Sequence, residues 1–216
     1  STGGLVKMGL DPTRGQLLGL LVQEPSWKER AWQQGGVIGR IIIFLGLFAI
    51  VVAGMRVYTL MQVSVGVAAQ RRNPGKPNKN NPLGRILQVY VDNQNIDTES
   101  LEMKMGEAVL REAPALIRFN TLLKVIAVAA PLLGLLGTVT GMILTFQAIT
   151  LFGTGDPKLM AGGISQALVT TMLGLCVAIP VVFLHALVAG RSRRIIEVLE
   201  EQATGLVAGS SQNRPG

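Results

Sequence analysis

The chain has few charged residues, few aromatic residues and a single cysteine, and each shortage narrows the class of protein. Charged residues make up 15% of its 216 residues and hydrophobic residues 49%, which is typical of a membrane protein rather than a soluble domain. One cysteine, Cys176, excludes an intrachain disulfide framework and a cysteine cluster for zinc. The net charge is +7, but aromatics at 5% and the lack of a recognition motif exclude a nucleic-acid-binding protein.

The chain also lacks the groups of a recognisable active site. His185 is its one histidine, and it has no nucleophile or carboxylate nearby, so we expect a packing or interfacial role. The segment GLLGTVTG at residues 134–141 has spaced glycines but no Lys-Ser or Lys-Thr after them, which excludes a phosphate-binding loop. We therefore predict that the protein is not an enzyme and binds no cofactor or metal.

Long apolar runs dominate what is present. Each of three runs reaches or exceeds the ~20 residues with which a helix crosses a bilayer. The predicted transmembrane helices are residues 37–63, 122–152 and 163–190. No Asp, Glu or Arg occurs within Val125–Phe152 or Ile164–Ala189. The sequence therefore predicts an all-α membrane protein with three spanning helices.

The segments outside the spans differ in character. Residues 1–36 contain two short amphipathic pieces, which predict a segment on the membrane surface or part of an upstream domain. Residues 64–121 begin with a Pro- and Asn-rich loop and continue with apolar residues at helical spacing, so we expect soluble helices. Residues 191–216 continue the third span as an amphipathic helix, and from Ala208 we expect a disordered tail. The apolar positions of the central segment are Ile86, Leu87, Tyr90, Leu101, Met105, Val109 and Leu116.

Basic residues set the predicted orientation. Five follow the first span and three follow the third, whereas the turn at residues 153–162 carries only Lys158. By the positive-inside rule, residues 64–121 and 191–216 are cytoplasmic, and the N-terminus and the turn are outside. The cytoplasmic bases are Arg71, Arg72, Lys76, Lys79, Arg85, Arg191, Arg193 and Arg194. Within the first span, Arg40 and Arg56 can snorkel towards the two interfaces.

The second and third spans carry polar groups that hydrocarbon cannot satisfy. Thr138 and Thr145 are seven residues apart, which leaves them within ~20° on one helix face. Gln166 and Thr170 are four apart and are surface neighbours on the third span, with Thr171 beside them. Because lipid offers no hydrogen bonds, these groups must face other helices or water. We predict that all five line a narrow polar path, and the alternative is that they only hold helices together.

Small residues lie beside these polar groups. Gly137 and Gly141 form a GxxxG pair, a spacing that lets helix backbones approach closely in lipid. We therefore predict a helix-packing role for the small residues of both spans and for the proline of the third. These residues are Gly134, Gly137, Gly141, Ala167, Gly174, Ala178 and Pro180.

Linked motifs in these spans resemble a known family. LLGLLGTVTGMILTF at residues 132–146, followed by GGISQALVTTMLGLCVAIPVVFLH at residues 162–185, is similar to the ExbB/TolQ/MotA group of inner-membrane proton-channel proteins. The features are the GTVxGM segment, the GIxxAL segment with its following LGL, and AIPVV. The sequence looks most like ExbB, including longer ExbB-like members with an additional N-terminal region. MotA-like members carry a fourth span, which is not found here.

The resemblance implies an assembly and a mechanism. It implies a homo-oligomer, a pentamer in the best-understood members, around the single spanning helices of an ExbD dimer. An ExbD aspartate would load and release protons within a ring of threonines, here Thr138 and Thr171. The motor, in the bacterial inner membrane, would then drive TonB and energise outer-membrane transport of iron complexes and similar nutrients. Because the second and third spans supply no carboxylate, the titrating group has to come from such a partner.

Several alternatives stay open at this stage. Many relatives have Glu where this chain has Gln166, and an amide cannot titrate, so we expect Gln166 to shape the pore or bond across helices. A TolQ-like subunit would support envelope integrity instead of nutrient uptake. A purely structural scaffold would use the same Gly and Thr faces for packing alone. A metabolite transporter is disfavoured, since no charged substrate site, internal repeat or broken helix pair is evident.

Overall fold

A computed structural model describes residues 34–73, 75–153 and 157–212, and every regular element within them is helical. The helices are α1 (Gly36–Arg72), α2 (Pro82–Asp92), α3 (Thr98–Ile117), α4 (Asn120–Phe152) and α5 (Pro157–Gln212). Three of them, α1, α4 and α5, contain stretches long and apolar enough to cross a membrane. The prediction of an all-α protein with three spanning helices is confirmed. The predicted amphipathic pieces between residues 1 and 33 lie outside the described residues.

Helices α4 and α5 form an antiparallel hairpin, and α1 packs against one side of it. The hairpin turns just after α4, where Gly153 adopts a φ of 71° that favours glycine. Where α1 meets the hairpin, Gly46 of α1 lies against the Val177 side chain of α5. Ile42 of α1 and Leu173 of α5 form a small buried cluster of their own. The spanning part is therefore a two-helix layer with α1 on one face.

The third span and the C-terminal helix are one continuous helix. α5 runs for 56 residues from Pro157 to Gln212, through the basic residues that end the span. The expectation of a disordered tail from Ala208 is wrong for residues 208–212, which are helical. The reason lies just before this stretch, where Ala203 and Val207 are buried in the main hydrophobic core. Because of that packing, the helix continues past Ala208, where the composition alone predicts that it ends.

The main hydrophobic core of the described residues joins α2 and α3 to the three long helices. Ile86 and Leu87 of α2 and Leu101, Met105 and Val109 of α3 are buried, as their spacing predicted. They join Leu199, Ala203 and Val207 of α5 and buried residues of α1 and α4 in one hydrophobic cluster. Helices α2 and α3 are also tied by Arg85, whose Nε donates to Glu112 Oε1 at 2.6 Å. Hydrogen bonding to Glu112 raises the pKa of Arg85 above its usual value.

The loop between α1 and α2 is organised by one buried amide. Gln70 Nε2 donates to the carbonyl oxygens of Asn73 at 2.9 Å and Lys76 at 3.1 Å. Gln70 Oε1 in turn accepts from the backbone N–H of Asn78 at 3.0 Å. Asn81 then caps α2 by accepting from the Gly84 N–H at 2.6 Å. Residues 75–81 are therefore an ordered connection that fixes where α2 begins.

Candidate functional site

The α4–α5 contact is a seam of small residues in which backbones touch. A Cβ placed on Gly141 would lie 2.7 Å from the carbonyl oxygen of Gly163, and one on Gly174 would lie 2.8 Å from that of Ala130. A Cβ on Gly137 would overlap the side chain of Thr170. No side chain larger than hydrogen fits at these positions without moving a helix. Of the residues predicted to pack, Gly134, Gly137, Gly141, Ala167, Gly174 and Ala178 are buried, whereas Pro180 is exposed.

Two of the predicted path residues lie inside this seam. Thr145 is 3% exposed and Thr170 is fully buried. Thr145 Oγ1 donates to the Gly141 carbonyl at 3.0 Å, and Thr170 Oγ1 donates to that of Ala167 at 2.9 Å. Both hydroxyls are thus satisfied by their own helices and enclosed between α4 and α5 of one chain. Both side chains are packed between the two helices, and their place on a proton path stays a prediction.

Two other hydroxyls lie at the edge of the seam. Thr138 and Thr171 are both half-buried. Thr138 Oγ1 donates to the Leu135 carbonyl at 2.6 Å. Thr171 Oγ1 lies 3.2 Å from the Ala167 carbonyl and 3.4 Å from that of Gly134 on the facing helix. Each oxygen keeps acceptor capacity, since a hydroxyl donates one hydrogen bond and can accept two.

The position of α1 shows which way these two hydroxyls face. Leu133 of α4 and Leu173 of α5 pack in the cluster around Ile42 of α1. Thr138 is five residues beyond Leu133, which turns it about 140° around the α4 axis. Thr171 is two residues before Leu173, which turns it about 160° around the α5 axis. Both threonines therefore lie on the face of the hairpin that is turned away from α1.

Gln166 does not share that face. It is half-buried, and its Nε2 would lie 2.8 Å from a Cβ placed on Gly36, the first residue of α1. One residue earlier, Ser165 Oγ donates to Gln34 Oε1 at 2.8 Å. Gly36 has a φ of 60°, so glycine suits this approach on conformational grounds as well. The structure brings Gln166 to the start of α1 and Thr138 and Thr171 together on the opposite side.

The described spans contain no candidate metal site or ionisable carboxylate on this face. Among the residues that the structure describes, no group of three His, Cys, Asp or Glu side chains could hold a metal ion. The stretch from Val125 to Phe152 has no Asp or Glu, and neither has that from Met160 to Ala189. The face can therefore offer hydroxyls and apolar surface, but no carboxylate.

A polar junction at the base of the spans was not foreseen from the sequence. Arg56 Nη2 of α1 donates to the carbonyl oxygens of Leu116 at 2.6 Å and Ala115 at 3.3 Å, at the C-terminal end of α3. Ser192 Oγ of α5, which is fully buried, donates to the same Leu116 oxygen at 2.8 Å. Carbonyls at a helix C-terminus lack partners within the helix and attract cations. Arg56 thus binds the end of α3 instead of only reaching for the interface.

One sequence signal could have indicated this junction. Ser192 occupies a position in the run of buried residues on α5 that includes Val188, Ile195 and Leu199. A polar side chain at a core position needs a hydrogen-bond partner, either on its own helix or on a neighbouring one. The identity of that partner, the carbonyl of Leu116, depends on where α3 ends.

Replacing the cation at this junction gives a direct test. We expect Arg56→Met to destabilise the protein by about 2 kcal/mol, because hydrogen bonds to a charged group are lost and the Ala115 carbonyl loses its donor. The measurement is unfolding by SDS titration in mixed micelles. Arg40→Met is the matched control, since Arg40 Nε donates to Gly36 within its own helix at an exposed position. Equal losses in the two variants would show that the junction contributes nothing specific.

Comparison with known proteins identifies the family. The sequence model of the MotA/TolQ/ExbB proton channel family matches residues 78–201. The chain belongs to the MotA/TolQ/ExbB proton channel family. The match runs from the loop before α2 through α2, α3 and α4 to residue 201 of α5. The seam, both threonines and the Arg56 partners on α3 all fall within it.

Individual members of the family point to the ExbB branch. The chain is 29% identical to a putative biopolymer transport protein ExbB-like 3 of Synechocystis, over 78% of this chain and 88% of that protein. It is 29% identical to a putative ExbB homolog of Methanothermobacter thermautotrophicus, over 78% of this chain and 65% of that protein. It is 38% identical to the biopolymer transport protein ExbB of Xanthomonas campestris, over 40% of this chain and 34% of that protein. The resemblance read from the motifs is therefore confirmed.

Proposed function

We propose that this chain is an ExbB-like subunit of a proton-driven motor in the bacterial inner membrane. Several copies, five by the family resemblance, surround the spanning helices of an ExbD-like dimer. The observation that carries the proposal is the placement of Thr138 and Thr171 on the hairpin face turned away from α1. If α1 lies outside the ring towards lipid, that face is turned to the ring axis. The exposed apolar side chains of α1, such as Phe44, Leu47 and Val51, suit the lipid side.

The proposed chemistry divides the work between two proteins. A carboxylate on the central helices of the partner takes up and releases the proton, because this chain offers none in its second and third spans. Thr138 and Thr171 accept a hydrogen bond from the protonated carboxyl or from the water beside it, and their O–H groups can turn to donate to the ionised carboxylate. Apolar neighbours on the same face keep bulk water out, which strengthens those bonds. Each proton that crosses 100 mV makes available ~2.3 kcal/mol for movement of the assembly.

The proposed output is coupling to a TonB-like protein that energises outer-membrane transport, of iron complexes and similar nutrients. Relatives named biopolymer transport proteins support this branch over a TolQ-like role in envelope integrity. The proposed orientation places the N-terminus and the α4–α5 turn in the periplasm. The α2–α3 segment and the end of α5 then lie in the cytoplasm, where Arg71, Arg72 and Arg191 follow their spans.

Reconstitution in vesicles tests whether the partner supplies the group that carries the proton. The chain is purified from its native membranes together with any single-span protein that remains bound, and proton flux is measured in vesicles under an imposed potential. We expect flux with the complex, and none above empty vesicles with this chain alone or with a partner whose membrane aspartate is changed to Asn. Flux through this chain alone would contradict the proposal, as would purification without any single-span protein. The identity of the bound single-span protein also separates an ExbB-like from a TolQ-like complex.

A further inference from the structure

A basic cleft lies between α1 and α5 at the cytoplasmic end of the spans. It has a volume of about 420 Å³, and Arg71 of α1 and Arg191 and Arg194 of α5 line it. The rest of its lining is mainly apolar, with one hydroxyl from Ser64. The apolar side chains include Leu60, Met61, Val65, Val67, Ile195 and Val198. An apolar floor with several guanidinium groups and no carboxylate favours a ligand that has both an anionic group and an apolar part.

The three arginines of this cleft form no hydrogen bond or ion pair that would stabilise the described part of the fold. All three are exposed, and no hydrogen bond or ion pair connects any of them to another residue in the part of the chain that the structure describes. By contrast, Arg85 is paired with Glu112, and Arg56 binds the end of α3. Like charges gathered around one cleft repel one another unless an anion lies between them. No acidic side chain lines the cleft, so a bound anion would relieve that repulsion.

The position of the cleft along α1 and α5 puts it level with the proposed membrane surface. Ser192, between Arg191 and Arg194 in sequence, binds the Leu116 carbonyl just before the chain enters α4. Arg191 is also the first charged residue after the long apolar stretch of α5. Basic clefts between spanning helices at the cytoplasmic side are suited to phospholipid head groups, since the cytoplasmic leaflet carries the anionic lipids.

We propose that this cleft binds an anionic phospholipid of the cytoplasmic leaflet. The phosphate is held by Arg71, Arg191 and Arg194, because guanidinium groups match phosphate oxygens in geometry and charge. The apolar floor, including Met61 and Val65, covers the glycerol and the upper part of the acyl chains. A free phosphate would leave that floor exposed to water, and a neutral lipid would leave the arginines uncompensated. The lipid would join the first and third spans at the level where α3 ends.

The chain itself supplies a matched pair of variants for the test. R71Q/R194Q removes two charges from the cleft, whereas R72Q/R193Q removes the same charge from adjacent, equally exposed positions that do not line it. Both proteins are purified as oligomers in neutral detergent and titrated with phosphatidylglycerol or phosphatidylcholine. Retained lipid is counted by native mass spectrometry. We expect phosphatidylglycerol to bind about tenfold more weakly to the cleft variant than to the control variant, from the contribution of surface arginines to lipid binding.

The outcomes separate the possible occupants. Equal binding by the two double variants, or equal retention of phosphatidylcholine and phosphatidylglycerol by the unchanged protein, would overturn the proposal. A cleft variant that changes oligomer mass but not lipid retention would make the cleft a contact between copies instead. Competition by glycerol 3-phosphate as strong as that by the intact lipid would reduce the site to a simple anion site. Loss confined to the cleft variant and to the anionic lipid supports the proposal.

Discussion

Gly163→Ala is expected to open the α4–α5 hairpin and to destabilise the protein by about 3 kcal/mol, at the upper end of overpacking costs. A Cβ at this position would lie 2.7 Å from the Gly141 carbonyl oxygen and 3.0 Å from the Thr145 backbone nitrogen. Backbone atoms cannot rotate away as a side chain can, so the two helices have to separate. Separation also removes the close contacts that drive helix association in lipid.

The neighbouring glycine provides the control. Gly162 precedes Gly163 in the same helix, and a Cβ there would meet nothing within 4 Å. Alanine favours helix over glycine at both positions, so Gly162→Ala should be neutral or slightly stabilising. Stability is measured by SDS titration, and the oligomer is followed by size-exclusion chromatography with light scattering. If the two variants unfold at the same SDS concentration, the seam at Gly163 is looser than the structure indicates.

Thr171→Val is expected to lower proton flux through the reconstituted complex by about tenfold or more while the complex still assembles. Valine has nearly the shape of threonine but offers no hydroxyl, so it removes one hydrogen bond to the partner's carboxylate or to its water. A hydrogen bond to a charged group is worth about 1.5–3 kcal/mol, and each 1.4 kcal/mol changes a rate tenfold. The same reasoning applies to Thr138→Val, whose hydroxyl lies on the same face of the hairpin.

Two further variants separate the chemistry of Thr171 from its packing. Thr171→Ser keeps the hydroxyl and should retain most of the flux. Thr150→Val removes a hydroxyl that is exposed near the end of α4 and bonds only to its own helix, and it should leave flux unchanged. Flux is measured with a pH-sensitive dye inside vesicles under a potassium diffusion potential. If Thr171→Val conducts as well as Thr171→Ser, the hydroxyl has a packing role only, and the scaffold interpretation gains support.

Much of the fold could be predicted because it depends on patterns within single segments. The spanning helices follow from the length and composition of three apolar runs. The helices of the central segment follow from the spacing of Ile86, Leu87, Leu101, Met105 and Val109, all of which are buried. A period of 3.6 residues indicates which side of a helix is buried without reference to any partner.

The end of α5 could not be predicted in this way. Residues 208–212 have the composition of a tail, and their helical state depends on Ala203 and Val207 packing in the core that contains α3. That contact joins residues about a hundred positions apart in the chain. Local composition carries no information about it.

The placement of the candidate site residues was likewise only partly predictable from the sequence. Seven residues separate Thr138 from Thr145, and the sequence correctly puts them on nearly the same side of α4. Yet Thr145 is enclosed by the seam, whereas Thr138 lies at its edge. The small difference in angle around the α4 axis decides this, because α5 approaches closely enough to cover Thr145 and leaves Thr138 partly uncovered. Gln166, grouped with the threonines from sequence, instead contacts Gly36 of α1.

The sequence by itself determined the family, the three spans, the small-residue seam and the lack of a carboxylate in the second and third spans, because these are properties of residue type and short-range spacing. Only the tertiary structure decided that Thr138 and Thr171 face away from α1, that Arg56 and Ser192 bind the end of α3, and that three arginines surround one cleft. Each of these depends on the rotation of one helix relative to another. That rotation is set by the packing of side chains from segments far apart in the chain, which no single segment encodes.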